Sequence, residues 1–364
     1  MLGRATPQRR GALALNVEDN SSTMSPMPET TANKVPAAGG LDRNIALELC
    51  RVTEAAALAA ARWMGRGNKN ALDQAAVNAM RDRLRVIDMD GVVVIGEGEK
   101  DEAPMLYIGE RIGNGRPPKV DVAVDPVDGT TLLSKGLPNA VAVVAMAEQG
   151  TMYYPPGIVY MEKLAVGPAG RGVCSLEMSV EENIDALAQS KGERVDDLTV
   201  VVLDRPRHAE LIDRIRATGA RIKLISDGDV AGGLMPSLPE TGVDMLMGVG
   251  GSPEAVLTAA ALKCLGGDIQ CKLWPRNDDE RAQAEKLGLS LDTVLTIDDL
   301  VRGDDVFFAL TGVTDGELVK GVHYFAHGAT TETLVMRSRS GTIRRIQAVH
   351  NFEKLERYTE LAGV

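Results

Sequence analysis

Aromatic side chains are scarce: Phe, Trp and Tyr together make 3% of the chain. That is low for a protein that works by stacking bases or by offering a flat carbohydrate platform. Cysteine is scarce as well. Cys50, Cys174, Cys264 and Cys271 are widely spread and form no C-x-x-C pair. They read as reduced, buried thiols of a cytoplasmic protein, not as a disulfide framework. No apolar run approaches the roughly 20 residues that span a bilayer; the longest, 140–147, is strand-sized. Positive charge is in deficit, 40 Lys and Arg against 51 Asp and Glu, for a net charge of −11. This argues against a general nucleic-acid binder, and any cationic site for a phosphate group has to be local. The four histidines, His208, His323, His327 and His350, show no metal-ligand spacing. His323 and His327 are four apart, but Tyr324 and Phe325 between them read as strand. No G-x-S-x-G elbow supports a serine hydrolase. Gly96-Glu97-Gly98 lacks the third glycine of a dinucleotide-binding turn.

What remains is an ordinary soluble profile: 364 residues, 44% hydrophobic and 25% charged, enough for one large domain or two packed ones. Residues 1–40 differ from the rest. They are rich in Ser, Thr, Pro, Asn and Ala without apolar periodicity, and read as a disordered extension. Arg4, Arg9 and Arg10 precede the first acid, Glu18, so a targeting segment is the alternative. Asp42 then looks like the N-cap of a helix over 43–64 that stops at Gly65. A second helix is expected over 71–86, where Asp73 falls in line with Val77, Met80 and Leu84. An acid in phase with a buried stripe either answers the helix dipole or belongs to a site.

Strands are expected at 92–95, 120–126, 141–146 and 158–166. Beyond about residue 196 strands and helices alternate, which predicts a mostly parallel, helix-covered sheet. The chain closes on a hairpin with Ser340-Gly341 at its turn. The fold class is therefore α/β, divided into 1–40, 41–190 and 191–364.

Acids recur where strands run out into glycine turns: Glu97 and Glu99 in G-E-G-E, Asp125 and Asp128 in D-P-V-D-G-T, Asp227 and Asp229 around Gly228, and Glu254 in G-G-S-P-E. Acids at strand ends collect at one edge of an α/β sheet, the usual place for a site. Gathered carboxylates repel one another without a counter-charge. Divalent cations supply it, and oxygen-only ligands suit Mg²⁺ or Mn²⁺. Taken singly, each acid is equally at home capping a turn. The six residues from Asp125 to Thr130 are more constrained. Pro126 bends the chain after Asp125, so Asp125 and Asp128 can face one ion cluster. Gly129 lets the backbone approach a ligand. Thr130 opens a helix whose N-terminus suits phosphate.

D-P-V-D-G-T resembles the signature of the lithium-sensitive, metal-dependent sugar-phosphatase superfamily. The further segments GRGNKNALD, VVVIGEGEKDEAPMLYIGE, YMEKLAVGP, RPRH, DGDVA, GVGGSPE and TTETLVMRSRSGTIRRI resemble the class II fructose-1,6-bisphosphatases of bacteria, from about residue 41 to about 350. The resemblance implies a layered α-β-α-β-α architecture, with metal and phosphate bound by 41–190 and the substrate site completed by 191–364. It implies metal ligands at Asp73, Glu97, Asp125, Asp128 and Glu254, the third and fourth acids lying in the signature itself. It implies substrate contacts at Asp128, Gly129, Thr130, Tyr160, Arg205, Pro206, Arg207, Asp227, Gly228, Asp229 and Gly251. Thr130 would orient the attacking water, with Lys69 and Asp101 near the reacting phosphate. Two positions depart from the family pattern: Asn68 stands where Asp is common, and Arg205 where Lys is common.

The activity so implied is hydrolysis of the 1-phosphate of fructose 1,6-bisphosphate in gluconeogenesis, by a homo-oligomer (dimer or tetramer) acting on a small molecule, with neither nucleic acid nor membrane as partner. Sedoheptulose 1,7-bisphosphate is an alternative substrate, and a non-catalytic sugar-phosphate sensor an alternative class. The second is disfavoured by an intact Thr130 and all five acids. A monophosphatase is disfavoured by Arg205 and Arg207, which offer a second anion pocket.

Overall fold

The computed structural model describes residues 44–97, 106–154, 157 and 159–355, all within one compact unit. The readings of residues 1–40, of Asp42 as a cap and of Asp101 lie outside the described residues. The chain opens with α1 (Ile45–Ala61) and α2 (Lys69–Leu84). α2 begins two residues before its apolar pattern does, because the Asn68 side chain accepts the Ala71 N–H at 3.1 Å and caps it. Asn68 thus has a local structural role whatever stands there in relatives.

Then follow β1 (Asp90–Ile95), β2 (Arg111–Ile112), β3 (Lys119–Asp128), α3 (Thr130–Lys135), β4 (Val141–Glu148), β5 (Tyr160–Val166), α4 (Val180–Lys191), β6 (Thr199–Leu203) and α5 (Ala209–Thr218). Next come β7 (Arg221–Ile225), α6 (Asp229–Leu234), β8 (Met245–Gly251), α7 (Ser252–Leu265), β9 (Asp268–Leu273), α8 (Asp278–Lys286) and α9 (Ile297–Leu300). The last strands are β10 (Phe307–Gly312), β11 (His323–Phe325), β12 (Gly328–Arg337) and β13 (Thr342–Asn351). β12 and β13 form the expected closing hairpin.

Two mixed sheets result. The larger runs β11-β12-β10-β4-β3-β1-β2, with β13 pairing β12; the smaller runs β7-β6-β8-β5-β9. The expectation of a mostly parallel second sheet holds only for β7, β6 and β8. β5, from before the alternating stretch, enters between β8 and β9 and runs against both. Local alternation reports connections between neighbours and is silent about an earlier strand that intrudes. The strands interleave along the chain: β5 joins the second sheet, while β10 to β13 return to the first.

The layers are helix, sheet, helix, sheet, helix. α1 and α2 pack together, and α1 lies on β3, β4, β10 and β12. α6 and α7 fill the space between the sheets, and α4 with α5 covers the far face of the smaller one. α7 is buried nearly all round, from Ala255 to Leu262 without a break. Its sequence, SPEAVLTAAALKCL, matches that position: apolar on every face, and small enough to sit between two sheets. Its first turn, where Pro253 is exposed, carries Glu254. All four cysteines are buried and free. No helix among the described residues is long and apolar enough to cross a membrane.

Candidate active site

The D-P-V-D-G-T segment bends, as expected, but as a bulge within β3. Pairing with β4 runs Asp125↔Val143 and then Asp128↔Val141, three residues against two. Residues three apart lie on opposite faces of a regular strand; the extra residue turns Asp128 round. Pro126 has no N–H to leave unpaired there, and the Val127 N–H is taken by Asp125 Oδ1 at 3.0 Å. Asp128 ends buried and Asp125 half-buried, with the charge of Asp128 acting on Asp125.

Two Asp-Gly turns then exchange caps. Gly129 and Gly228, at φ +95° and +83°, open α3 and α6, a conformation glycine adopts without strain. Asp128 Oδ2 accepts the Ala231 N–H of α6 at 3.2 Å, and Asp227 Oδ2 accepts the Thr131 N–H of α3 at 3.0 Å. Each carboxylate therefore caps the other turn's helix. The exchange joins segments about a hundred residues apart and sets the D-G-T and D-G-D motifs face to face.

Around this junction the remaining acids gather. Thr130 Oγ1 lies 3.1 Å from Asp73 Oδ1 and 3.1 Å from the Val127 carbonyl. Asp73 is thus turned toward the site, not spent on the dipole of α2. Burial raises the pKa of Asp73, against the pull of Thr130 and Lys69. Burial and then Asp73 raise Glu97. Burial first, and then their acidic neighbours, push Asp125 and Asp128 far above the usual carboxylate range. Glu254 is pushed up to about 7 by burial and by Asp229, with Lys163 pulling the other way. The structure therefore brings Asp73, Glu97, Asp125, Asp128 and Glu254 into one interacting cluster. Lys69 stands at its exposed side, its Nζ 2.8 Å from Thr131 Oγ1.

Asp227, Asp229 and Glu254 also line a cleft of about 220 Å³ with Tyr160, Arg205, Arg207 and Gly251. Pro206 begins the short 3₁₀ turn that carries Arg207. Arg207 donates to the Val249 carbonyl at 2.7 Å and lies over the Tyr160 ring, 5.1 Å from its centre. Tyr160 meets Trp274 edge-on at 6.3 Å. The cleft is thus lined by acids and arginines together, with Glu254 the one member of the carboxylate cluster among its lining residues.

Sequence reasoning missed Lys163. It lies on β5, is 2% exposed, and places its Nζ 2.7 Å from Asp229 Oδ2. Burial opposes its charge, but Asp229 and Glu254 outweigh that and raise its pKa. The available signal was a lysine in strand phase with Met161 and Ala165, both core residues; a buried lysine is tolerated only when paired.

Backbone approach limits this corner tightly. A Cβ on Gly250 would lie 1.9 Å from Asp229 Oδ2, and one on Gly251 would lie 1.8 Å from Glu254 Oε2. Gly251→Ala must therefore shift Glu254. It is expected to weaken divalent-cation binding, measured by calorimetry, and to lower turnover by about a hundredfold, the scale of an ångström-sized misplacement. Gly250→Ala is expected to act on Asp229 and so on KM.

The residues fit divalent cations in kind. The donor set is oxygen-only, it is electrostatically unbalanced, and Glu254 Oε2 is buried without a hydrogen-bond partner. Among the described residues no three acids stand close enough to one point to hold an ion as they are.

Comparison with known proteins points the same way. Residues 43–350 match the family described as bacterial fructose-1,6-bisphosphatase, glpX-encoded. The chain belongs to this family. It is 46% identical over 328 residues to the fructose-1,6-bisphosphatase class 2 of Haemophilus influenzae, covering 86% of this chain and 98% of that protein. It is 43% identical over 325 residues to fructose-1,6-bisphosphatase 1 class 2 of Escherichia coli, covering 86% and 96%. A solved structure of the extragenic suppressor protein suhB from Bartonella henselae aligns with a TM-score of 0.29 at 16% identity, over 62% of this chain and 75% of that one. That correspondence is too loose to build on.

Proposed function

We propose that this chain removes the 1-phosphate of fructose 1,6-bisphosphate, giving fructose 6-phosphate and phosphate, by attack of a metal-activated water. The chain is a metal-dependent phosphatase that hydrolyses fructose 1,6-bisphosphate in gluconeogenesis. What supports the residue assignment is one cleft that Glu254 of the carboxylate cluster shares with Arg205 and Arg207, which offers a metal-bound phosphate and a second, arginine-held phosphate places in the same cleft.

Asp73, Glu97, Asp125, Asp128 and Glu254 would hold the divalent cations, Mg²⁺ or Mn²⁺ by their oxygen-only chemistry. When bound, these supply Lewis-acid charge and an activated water at the reacting phosphate. Thr130 Oγ1 would accept a hydrogen bond from the attacking water while donating its own to Asp73 Oδ1; the hydroxyl would orient the nucleophile and relay one proton, taking the water's as its own passes to Asp73. Lys69, and from the sequence Asp101, act near the reacting phosphate. At the other end Arg205 and Arg207 grip the distal phosphate, a forked match for its oxygens. Asp227 Oδ2 and Asp229 Oδ2 are held by Thr131 and Lys163. Their other oxygens can accept sugar hydroxyls. Tyr160 walls the cleft. We place the protein in the cytoplasm as a homo-oligomer.

Arg207→Ala tests the two-ended reading. It is expected to raise KM for fructose 1,6-bisphosphate by about a hundredfold, since a charged hydrogen-bond donor is worth roughly 2–3 kcal/mol. KM for fructose 1-phosphate should change little. Equal effects on both substrates would remove the distal-phosphate role from Arg207.

A further inference from the structure

His208 plays no part in the chemistry above, yet it is 2% exposed and fully engaged. Its Nδ1 lies 2.7 Å from the Leu203 carbonyl, and its Nε2 lies 2.7 Å from the Val249 N–H. A carbonyl can only accept and an amide can only donate. The ring is therefore neutral, with its proton on Nδ1. Burial lowers its pKa and the charges of Arg207 and Arg205 push the same way, against the Leu203 hydrogen bond.

The two partners belong to strands that have parted. β6 stays paired with β7 along its whole length, to Leu203↔Ile225. With β8 it pairs only at Val200↔Met245 and Val201↔Leu246. Past that point the parallel strands diverge, and the gap between them opens into the cleft, which Leu203 and Gly250 both line. Divergence leaves backbone groups of β8 without a strand partner, and buried backbone groups must be satisfied. At Val249 both are taken by consecutive side chains: the N–H by His208 and the carbonyl by Arg207. The imidazole thus spans the split from β6 to β8, and the next residue back in the chain is the arginine of the distal-phosphate pocket.

We propose that His208 is a positioning residue that sets the width of the β6–β8 opening and the placement of Arg207, and so the selectivity for doubly phosphorylated substrate. This rests on the reading that Arg207 holds the distal phosphate. A rigid neutral ring suits such a spacer, because its two nitrogens are a fixed distance apart and one donates while the other accepts.

The test compares His208→Phe, His208→Gln and Arg207→Ala on fructose 1,6-bisphosphate and fructose 1-phosphate at saturating Mn²⁺. Phenylalanine keeps the ring volume and loses both hydrogen bonds. It is expected to raise KM for the bisphosphate about tenfold, with kcat and the monophosphate KM within about twofold. Glutamine, whose amide both donates and accepts, is expected to recover part of that loss. Unchanged kinetics in His208→Phe, or kcat and both KM values moving together, would overturn the positioning role. Should the phenylalanine variant not fold, the glutamine variant alone decides: a KM loss confined to the bisphosphate supports the role, and any other pattern overturns it. If Arg207→Ala leaves the bisphosphate KM unchanged, the distal-phosphate reading fails first, and this inference with it.

Discussion

Asp125→Asn is expected to lower phosphate release about a thousandfold while raising the melting temperature of the chelator-treated protein at pH 8. The first effect follows from the place of Asp125 in the bulge, half-buried and in the field of Asp128, Glu97 and Glu254. A Lewis-acid site contributes several kcal/mol to the transition state, and each 1.36 kcal/mol is tenfold in rate. The second effect has the opposite sign for a physical reason. Asparagine keeps an oxygen for the Val127 N–H but carries no charge. In the folded chain the Asp125 pKa stands well above its ordinary value of 3.8, so the folded state holds a proton that the unfolded state releases. Stability without metal must then fall as pH rises past 3.8 toward the folded-state value. The asparagine variant escapes that loss, and its gain should vanish near pH 3.

Thermal melts with chelator across this range, beside phosphate-release assays, check both effects. Full activity, or a lower melting temperature at pH 8, would contradict the placement of Asp125 in the cluster. Thr130→Ala should likewise lose nearly all turnover, with Thr130→Ser retaining part of it, because serine keeps the hydroxyl that lies against Asp73.

Lys163→Met should destabilise the protein by about 3–5 kcal/mol, the range for removing one partner of a buried ion pair, and lower its melting temperature by on the order of 10 °C. The loss comes from stranding Asp229, which is 9% exposed and has Lys163 as its ion-pair partner. Lys163→Met combined with Asp229→Asn removes both charges together and should recover much of the stability, though not the substrate KM. A single variant as stable as the parent, or a double variant no better than the single, would show that the pair does not hold this corner together.

The difference between these two residues explains what the sequence made legible. Asp125, Asp128 and Thr130 lie within six residues whose proline, glycine and acids constrain one another locally, so their chemistry could be read in place. Asp73 stood out by phase, an acid in line with Val77 and Met80 on an otherwise apolar stripe, but phase alone left a partner of the helix dipole and a site residue equally open. Lys163 was not, because its meaning depends on which way β5 faces and on Asp229, 66 residues on. The exchanged caps were hidden for the same reason: each aspartate looks like a cap for its own helix. His208 showed no ligand spacing in the sequence, and the role proposed for it depends on two parallel strands separating, which no local pattern records. The layered architecture came through the motifs, while the antiparallel entry of β5 into the second sheet did not.

One enzyme assay tests the two-ended metal site most directly. Phosphate release by the purified protein would be followed with fructose 1,6-bisphosphate, sedoheptulose 1,7-bisphosphate, fructose 1-phosphate and inositol 1-phosphate, each with Mn²⁺, with Mg²⁺ and with chelator. The expected result is release from fructose 1,6-bisphosphate that needs a divalent cation and far outpaces both monophosphates, with the sedoheptulose ester reporting how much sugar length the cleft accepts. Release that persists in chelator, or monophosphates cleaved as fast as the bisphosphate, would contradict a site that joins metal-binding carboxylates to a pair of phosphate-gripping arginines.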